Sequence, residues 1–464
     1  MRGESAPGVT GTLVGELVAL DARCLDDTSL EKASLCLLDY LSCCLAGQRF
    51  PWAQQAIAVA SRWSTTTGAA LLGTSISVAP AEAAYANSVM AVTASRTDMH
   101  PAITSHVGPV AFPVALACAS IRPVSGPEFL GARIAGYEAE GRVGRILVND
   151  HFMRHHRATS VLGSIGGAIV AAKILGLSHS EATHALSISA NTASGLMEWA
   201  HTGDMDLLYQ PANAARAAVA AALLAREGAT SSPSILEGPG GLFAAFGDPT
   251  QADRILARWS DRLEIEYVDF KAVPACVFVQ AAAFAALQLV EQRGALRADD
   301  VERIDLQTFA SAIAYPGCDD PGPMRGVQQA RMSLQFTVAS VLAQGRLDDR
   351  NFAEFDEQNT TLLVGKVRIT ECAAFTAAYP AKQGAEVQAI LRSGAVLSGR
   401  VEAVPPVTAD RVRRRFIESA MTVMEQERAV AIEEEVLGLA SAQSLQPLLQ
   451  LLADPRRPVR SLSE

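Results

Sequence analysis

From residue 13 to residue 247, apolar residues recur at helical spacing, and no segment alternates apolar with polar residues as a half-buried strand does. This half of the chain is therefore expected to be an α-helical domain. In LEKASLCLLDYLSCCLAG, Leu35, Leu38, Leu41 and Leu45 share one face; Asp27 or Thr28 can cap the start and Gly47 the end. Further helices fit residues 51–63, 80–94, 111–119, 127–148, 180–198 and 213–226. Alanine dominates and aromatics make up only 6% of the chain. That composition favours closely packed helices with small residues at their contacts. In TSVLGSIGGAIVAAKILGLS, Gly163, Gly167 and Ala171 recur every four residues, which lets another backbone approach. The run 161–177 is apolar enough to suggest a membrane span. Lys173 interrupts it and it falls short of the ~20 residues a span needs, so a buried helix is expected.

Alternation begins after residue 262. LEIEYVDF, VERIDLQTF, VGKVRIT, AEVQAILR and AVLSGRVEA read as strands, and 281–293 and 328–343 as helices. Residues 408–424 and 428–451 return to helix, and the polar tail from Asp454 should fray. The expected architecture is mainly α. A large all-helical domain comprises residues 1–265 and 406–464, and a smaller α+β domain, 266–405, is inserted between them.

A net charge of −10 with no basic tract argues against nucleic acid as a partner. The eight cysteines are scattered, without CxxC or zinc-ligand spacing. Most sit in apolar surroundings and read as buried thiols, which fits a reducing cytoplasm. Residues 1–10 lack the basic start and apolar core of a signal peptide. A cytoplasmic protein without a membrane partner is expected.

The densest chemistry lies in NSVMAVTASRTDMHPAITSHVGPVAFPVALAC, residues 87–118. Asp98, His100 and His106 fall in a stretch broken by Pro101, Gly108, Pro109 and Pro113, which predicts a loop leading into a buried helix. Titratable groups on a loop held between helices often do catalysis; the alternative is a helix start with solvated histidines. In DHFMRHHRAT, His155, His156 and Arg157 precede Thr159 or Ser160, either of which can cap the next helix. Cations beside a helix N-terminus favour an anion, although an exposed basic turn has the same sequence. AHTGDMDLLYQP is a loop bearing His201, Asp204, Asp206 and Tyr209.

Along almost its whole length the chain resembles the MmgE/PrpD family. The resemblance rests on the order of LLDYLSCCLAG, AEAAYANS, HPAITSHVGPVAFPVALA, GYEAEGRVGRI, TSVLGSIGGAIVAAKILGLS, SANTASGLMEW, NAARAAVAAALLAREGATS, SILEGPGGLFAAF, FKAVPAC and ARMSLQFTVASVLAQGRL. It implies a helical domain with a smaller α+β lid, a homodimer, no metal or other cofactor, and a site between the domains. It also implies site residues, with an uneven match. Of an acidic DFDDT-like segment only Asp98 remains. The loop histidine is His106. A family HPT triplet reads Arg157, Ala158, Thr159, so that His156 one position upstream or Arg157 itself takes the imidazole's place. A KxxH pattern reads Asp206 to Tyr209. Lys271 is kept, whereas a later histidine reads Gln280.

The resemblance implies proton transfer or carboxylate loss next to a carboxylate, which needs a base, cations and an acid. His106 suits base or acid work, Lys271 suits a carboxylate clamp or an acid, and Asp98 would orient or share the proton. His100, His156, Arg157, Asp206, Tyr209 and Gln280 are candidates for substrate contact. Asp206 in place of a cation would favour a substrate with fewer carboxylates or with a cationic group. The expected function is a metal-independent lyase or isomerase on a small carboxylic acid. The alternatives are a repurposed biosynthetic enzyme, for example a cyclase, in the same pocket, and a non-catalytic binding protein.

Overall fold

The computed structural model describes residues 8–258 and 260–453, so the tail expected to fray from Asp454 lies outside the described residues. The first long helix is Asp27–Gly47. Its cap is Asp26, whose carboxylate accepts from Ser29 N at 2.8 Å, one residue earlier than expected. Capping boxes at Ser125/Glu128 and Ser178/Glu181 start the helices Gly126–Leu147 and His179–Ala190. The second of these is shorter than the expected 180–198: it stops at Ala190, and helix resumes only over Glu198–Thr202.

The helix Ala158–Leu175 lies at the centre of the body, packed against Gly126–Leu147, Tyr209–Arg226 and Gly108–Ala119. The glycines spaced by four are where its neighbours approach. A Cβ on Gly163 would lie 2.8 Å from Val110 Cγ2, and one on Gly167 would lie 2.9 Å from Ala218 Cβ. The helix is apolar and long enough to cross a membrane, but 94% of it is buried inside the protein, so it is a core helix.

The first half does contain strands. β1 (Ser64–Ala70) and β2 (Ser77–Val78) form a small antiparallel pair. β1 is largely exposed, so it shows no apolar alternation to read in the sequence. The main sheet has the order β4 (Val367–Glu371), β3 (Val301–Thr308), β5 (Ala385–Leu391), β6 (Val396–Val401). β3 runs parallel to β4 and antiparallel to β5, and β5 runs antiparallel to β6. Ile304 pairs with Ala389 and Leu306 with Val387, all buried, and the helix Gln280–Arg293 packs on β5 and β6. The fold is thus mainly α with a smaller α+β part.

Two expectations for this region are corrected. Residues 263–270 are not a strand; a 3-10 turn occupies Glu264–Tyr267. Glu264 is buried because it meets His100 Nε2 and Arg145 Nε, each at 2.8 Å, and not because it faces a sheet. The expected helix 328–343 is two, Val327–Met332 and Leu334–Gln344, which meet at Ser333; its hydroxyl accepts from Phe336 N at 2.9 Å. At the C-terminal end, Ala409–Ala420 packs on Asp27–Gly47, and the expected 428–451 is split into Gln426–Leu437 and Gln446–Ala453.

Candidate active site

The loop after the helix Pro80–Thr93 is fixed by main-chain bonds. Met99 and Asp269 exchange N–H···O bonds of 2.8 and 2.7 Å, and His100 N donates to Ser105 O at 2.8 Å. The first pair carries Lys271, two residues beyond Asp269, to the loop that holds His106. Both line one cavity of about 70 Å³, together with Arg157, Arg331, Cys276 and Tyr315. Ser95 and Thr104, with φ of 55° and 49°, are the non-glycine residues in the left-handed region among the described residues, and both line this cavity. Strain of order 1–3 kcal/mol per residue persists where surrounding structure enforces it, commonly at sites of chemistry.

His106 Nδ1 lies 2.8 Å from Asp98 O and 3.3 Å from Thr97 O. A carbonyl only accepts, so Nδ1 carries the proton and Nε2 is the basic nitrogen. Among the described residues Nε2 has no hydrogen-bond partner. Thr159 Oγ1 accepts from His106 N at 3.1 Å, so Thr159 braces the loop and caps no helix; Arg157 occupies the N-cap position of Ala158–Leu175. Burial, reinforced by the charges of Lys271 and Arg157, holds the imidazole pKa well below its ordinary value, and His106 is neutral at pH 7.

Three buried cations line the same cavity as this histidine, and the charges of two, Lys271 and Arg157, act on it. Lys271 Nζ lies 3.4 Å from Ser95 O, and burial lowers its pKa to about 8. Arg157 donates through Nη1 to Leu207 O and stacks over Trp199 at 5.7 Å. Arg331 donates through Nη1 to Thr93 O at 3.2 Å and to Ser95 Oγ at 3.0 Å, while its Nε is buried without a partner. Burial lowers both arginines to about 10. No Asp or Glu lines the cavity among the described residues. The carboxylates whose charge reaches the arginines, Asp206 for Arg157 and Asp349 for Arg331, stand outside the cavity lining, and buried cations are costly unless an anion joins them.

The other residues singled out from sequence lie elsewhere. The Asp98 carboxylate turns away from the cavity, accepting from Tyr137 Oη and from Gly108 N at 3.0 Å. A Cβ on Gly108 would sit 2.6 Å from Asp98 Oδ1, so glycine is needed at that helix start. His100 is enclosed by Glu264. His156 packs edge-on against Phe246 at 4.9 Å. Asp206 is exposed and lies outside the cavity lining, but its charge still reaches Arg157 and opposes the fall in that guanidinium's pKa. Tyr209 Oη donates to Gln55 Oε1 at 3.2 Å. Gln280 accepts from Val273 N and donates to Val273 O, at 3.0 and 2.9 Å, bracing the turn between Lys271 and Cys276. The sequence reading missed Arg331, Cys276 and Tyr315. No sequence signal marks Arg331, because Gln328 and Gln329 make its helix VQQARM polar in any case.

Asp98→Ala should cost ~1–3 kcal/mol for each buried donor it orphans, Tyr137 Oη and Gly108 N, read by urea denaturation. Burial raises the Asp98 pKa from 3.8 to about 7, so between these pH values the folded state holds the extra proton. Its contribution to stability is complete below pH 3.8 and declines as pH rises through 7. Asp98→Asn should flatten that slope and leave turnover within a few-fold, since His106 is held by the Asp98 carbonyl. A large loss of turnover in a folded Asp98→Asn would instead place the carboxylate in the chemistry.

The MmgE/PrpD N-terminal domain matches residues 16–255, and the MmgE/PrpD C-terminal domain matches residues 273–439. The chain belongs to the MmgE/PrpD family. It is similar to the cis-aconitate decarboxylase of Aspergillus terreus, 23% identical with 92% of each chain covered. The Homo sapiens cis-aconitate decarboxylase is 25% identical over 97% of this chain and 95% of its own. The 2-methylcitrate dehydratase of Escherichia coli (strain K12) is 27% identical over 55% of this chain and 53% of its own. The matched ranges include His106, Arg157, Arg331 and Cys276, and Lys271 falls between the two domains.

Proposed function

We propose that this chain is a metal-independent lyase that removes carbon dioxide or water from a small acid carrying more than one carboxylate. Its relatives are a decarboxylase and a dehydratase, both lyases. The observation that carries the reading is the cavity in which Lys271, Arg157 and Arg331 surround a neutral histidine with no lining carboxylate among the described residues. Side-chain cations supply the charge that a carboxylate, and the enolate-like anion formed from it, would need. Asp206 stands outside the cavity lining, so the case for a substrate with fewer carboxylates rests only on its charge reaching Arg157.

In this scheme the carboxylates bind between the three cations. When water is to leave, His106 Nε2 takes the proton from the carbon beside a carboxylate, and the C–O bond on the next carbon breaks as Lys271 Nζ gives its proton to the departing hydroxyl. When carbon dioxide leaves, the carbanion takes a proton from a cavity acid, for which Lys271 is placed. At about 70 Å³ the cavity is below the ~300–1,000 Å³ of ligand pockets. A neighbouring cavity of about 310 Å³ shares Met99, Lys271 and Val277 with it, so a larger substrate would extend past Lys271 into that space.

The test is proton NMR in heavy water with cis-aconitate, 2-methylcitrate, iminodisuccinate and several mono-carboxylates. Water loss, decarboxylation or deuterium uptake on a polycarboxylate is expected. A folded protein that neither turns over nor exchanges any of them defeats the reading. The pH dependence follows from the same groups. kcat/KM should rise on a limb lying below pH 6.5, as His106 loses its proton, and fall near pH 8, as Lys271 loses its charge. In Lys271→Arg the falling limb should move to higher pH; a profile unchanged by that substitution would remove Lys271 from the scheme.

A further inference from the structure

We infer that Cys276 and Cys318 form an oxidisable dithiol in the cavity wall, a modification site at which a small peroxide joins them into a disulfide. Their Sγ atoms lie 3.8 Å apart, both side chains are buried, and Cys276 lines the cavity beside Lys271. The two backbones are tied to one place. Cys276 N donates to Arg331 O at 2.9 Å, and Leu334 N donates to Cys318 O at 2.9 Å. The pair therefore brackets the break at Ser333 between the helices Val327–Met332 and Leu334–Gln344. A disulfide draws the sulfurs to about 2 Å. Closing that gap pulls on the segment that carries Arg331, so the bond would disturb one of the three cations as well as removing a thiol from the cavity.

The chemistry balances with the peroxide as oxidant. Cys276 thiolate attacks one peroxide oxygen, breaking the O–O bond; a sulfenic acid forms, and the departing hydroxide takes up the proton that the Cys276 thiol had released and leaves as water. Cys318 sulfur then attacks Cys276 sulfur, the S–O bond breaks, and the hydroxide takes the Cys318 proton as a second water. Two electrons pass from the thiols to the peroxide. The roles are ordered by position: Cys276 meets the cavity, whereas Cys318 is fully buried and reaches only its partner. The environment agrees, since the Cys318 thiol donates toward Cys276 and, with Lys271, lowers its pKa, while burial raises that of Cys318.

The experiment treats the reduced full-length protein with hydrogen peroxide at neutral pH, alkylates the remaining thiols, unfolds it and maps the peptides by mass spectrometry. Two of the eight thiols should disappear, the intact mass should fall by two hydrogens, and a Cys276–Cys318 cross-linked peptide should account for both. Dithiothreitol should restore them. In Cys318→Ser, Cys276 should climb to a sulfinic acid that dithiothreitol does not reverse. In Cys276→Ser, Cys318 should stay alkylatable. Exposed Cys24 is the internal control. If Cys24 oxidises while Cys276 remains fully reduced, or if Cys276 pairs with another cysteine, the inference is overturned. Oxidation of Cys318 in Cys276→Ser would also overturn it. None of these readouts depends on the substrate.

Discussion

His106→Asn should lower kcat on any substrate the enzyme turns over by ~10²–10⁴-fold, the range supplied by a positioned proton-transfer group, and leave the fold intact. The stability half of this expectation follows from the bonds His106 makes. Among the described residues its ring Nδ1 meets the Thr97 and Asp98 carbonyls and the Thr97 hydroxyl, and its backbone N–H donates to Thr159, which the variant retains. The asparagine amide can still donate to the Asp98 carbonyl but has no basic nitrogen. Proton exchange separates the possible roles: if His106 moves the substrate proton, deuterium uptake falls along with turnover while KM stays within a few-fold. A rise in KM with kcat unchanged would make His106 a binding group, and unchanged kcat and KM would exclude it.

His106 was legible from its loop position together with the family resemblance, and Lys271 only through the resemblance, since a lysine before Pro274 can equally be plain surface. Arg331 was not readable as a site residue. An arginine in a polar stretch such as VQQARM can equally extend its head to water, and only the approach of Thr93 and Ser95 shows that its head is held inside. Asp98 was readable as near the site and wrong in direction: local spacing cannot show that Tyr137, on a distant helix, supplies its donor. The same limit applies to strands. β3 to β6 announce themselves because alternate residues are buried against helices. Residues 263–270 alternate just as well, but Glu264 is buried by an ion pair that joins His100 and Arg145. Periodicity reports which residues are buried and not what they are buried against.

The second large effect is expected far along the chain, at Arg415 on the helix Ala409–Ala420. Its Nη2 donates to Asp39 Oδ1 at 2.8 Å, and its Nη1 donates to Lys271 O at 2.6 Å; Arg415 and Asp39 are both buried. One guanidinium thus neutralises a carboxylate of the Asp27–Gly47 helix and holds the backbone of the site lysine. Arg415→Met should cost ~3–5 kcal/mol, because it leaves a buried charge without its partner, read by urea denaturation at pH 8. Burial already raises the Asp39 pKa above 3.8, and Arg415 opposes that shift. Without Arg415 the folded state would hold a proton on Asp39 to higher pH, so stability would fall as pH rises and the cost would be smaller at pH 5. The double variant Asp39→Leu/Arg415→Met separates the two roles. Replacing both charges by apolar groups should return most of the stability. It should not return kcat/KM, because the Lys271 carbonyl still lacks its donor and the lysine is no longer held. If the double variant recovers both, Arg415 serves only Asp39. If it recovers neither, packing around the arginine stem, and not its charge, is what the helix contributes.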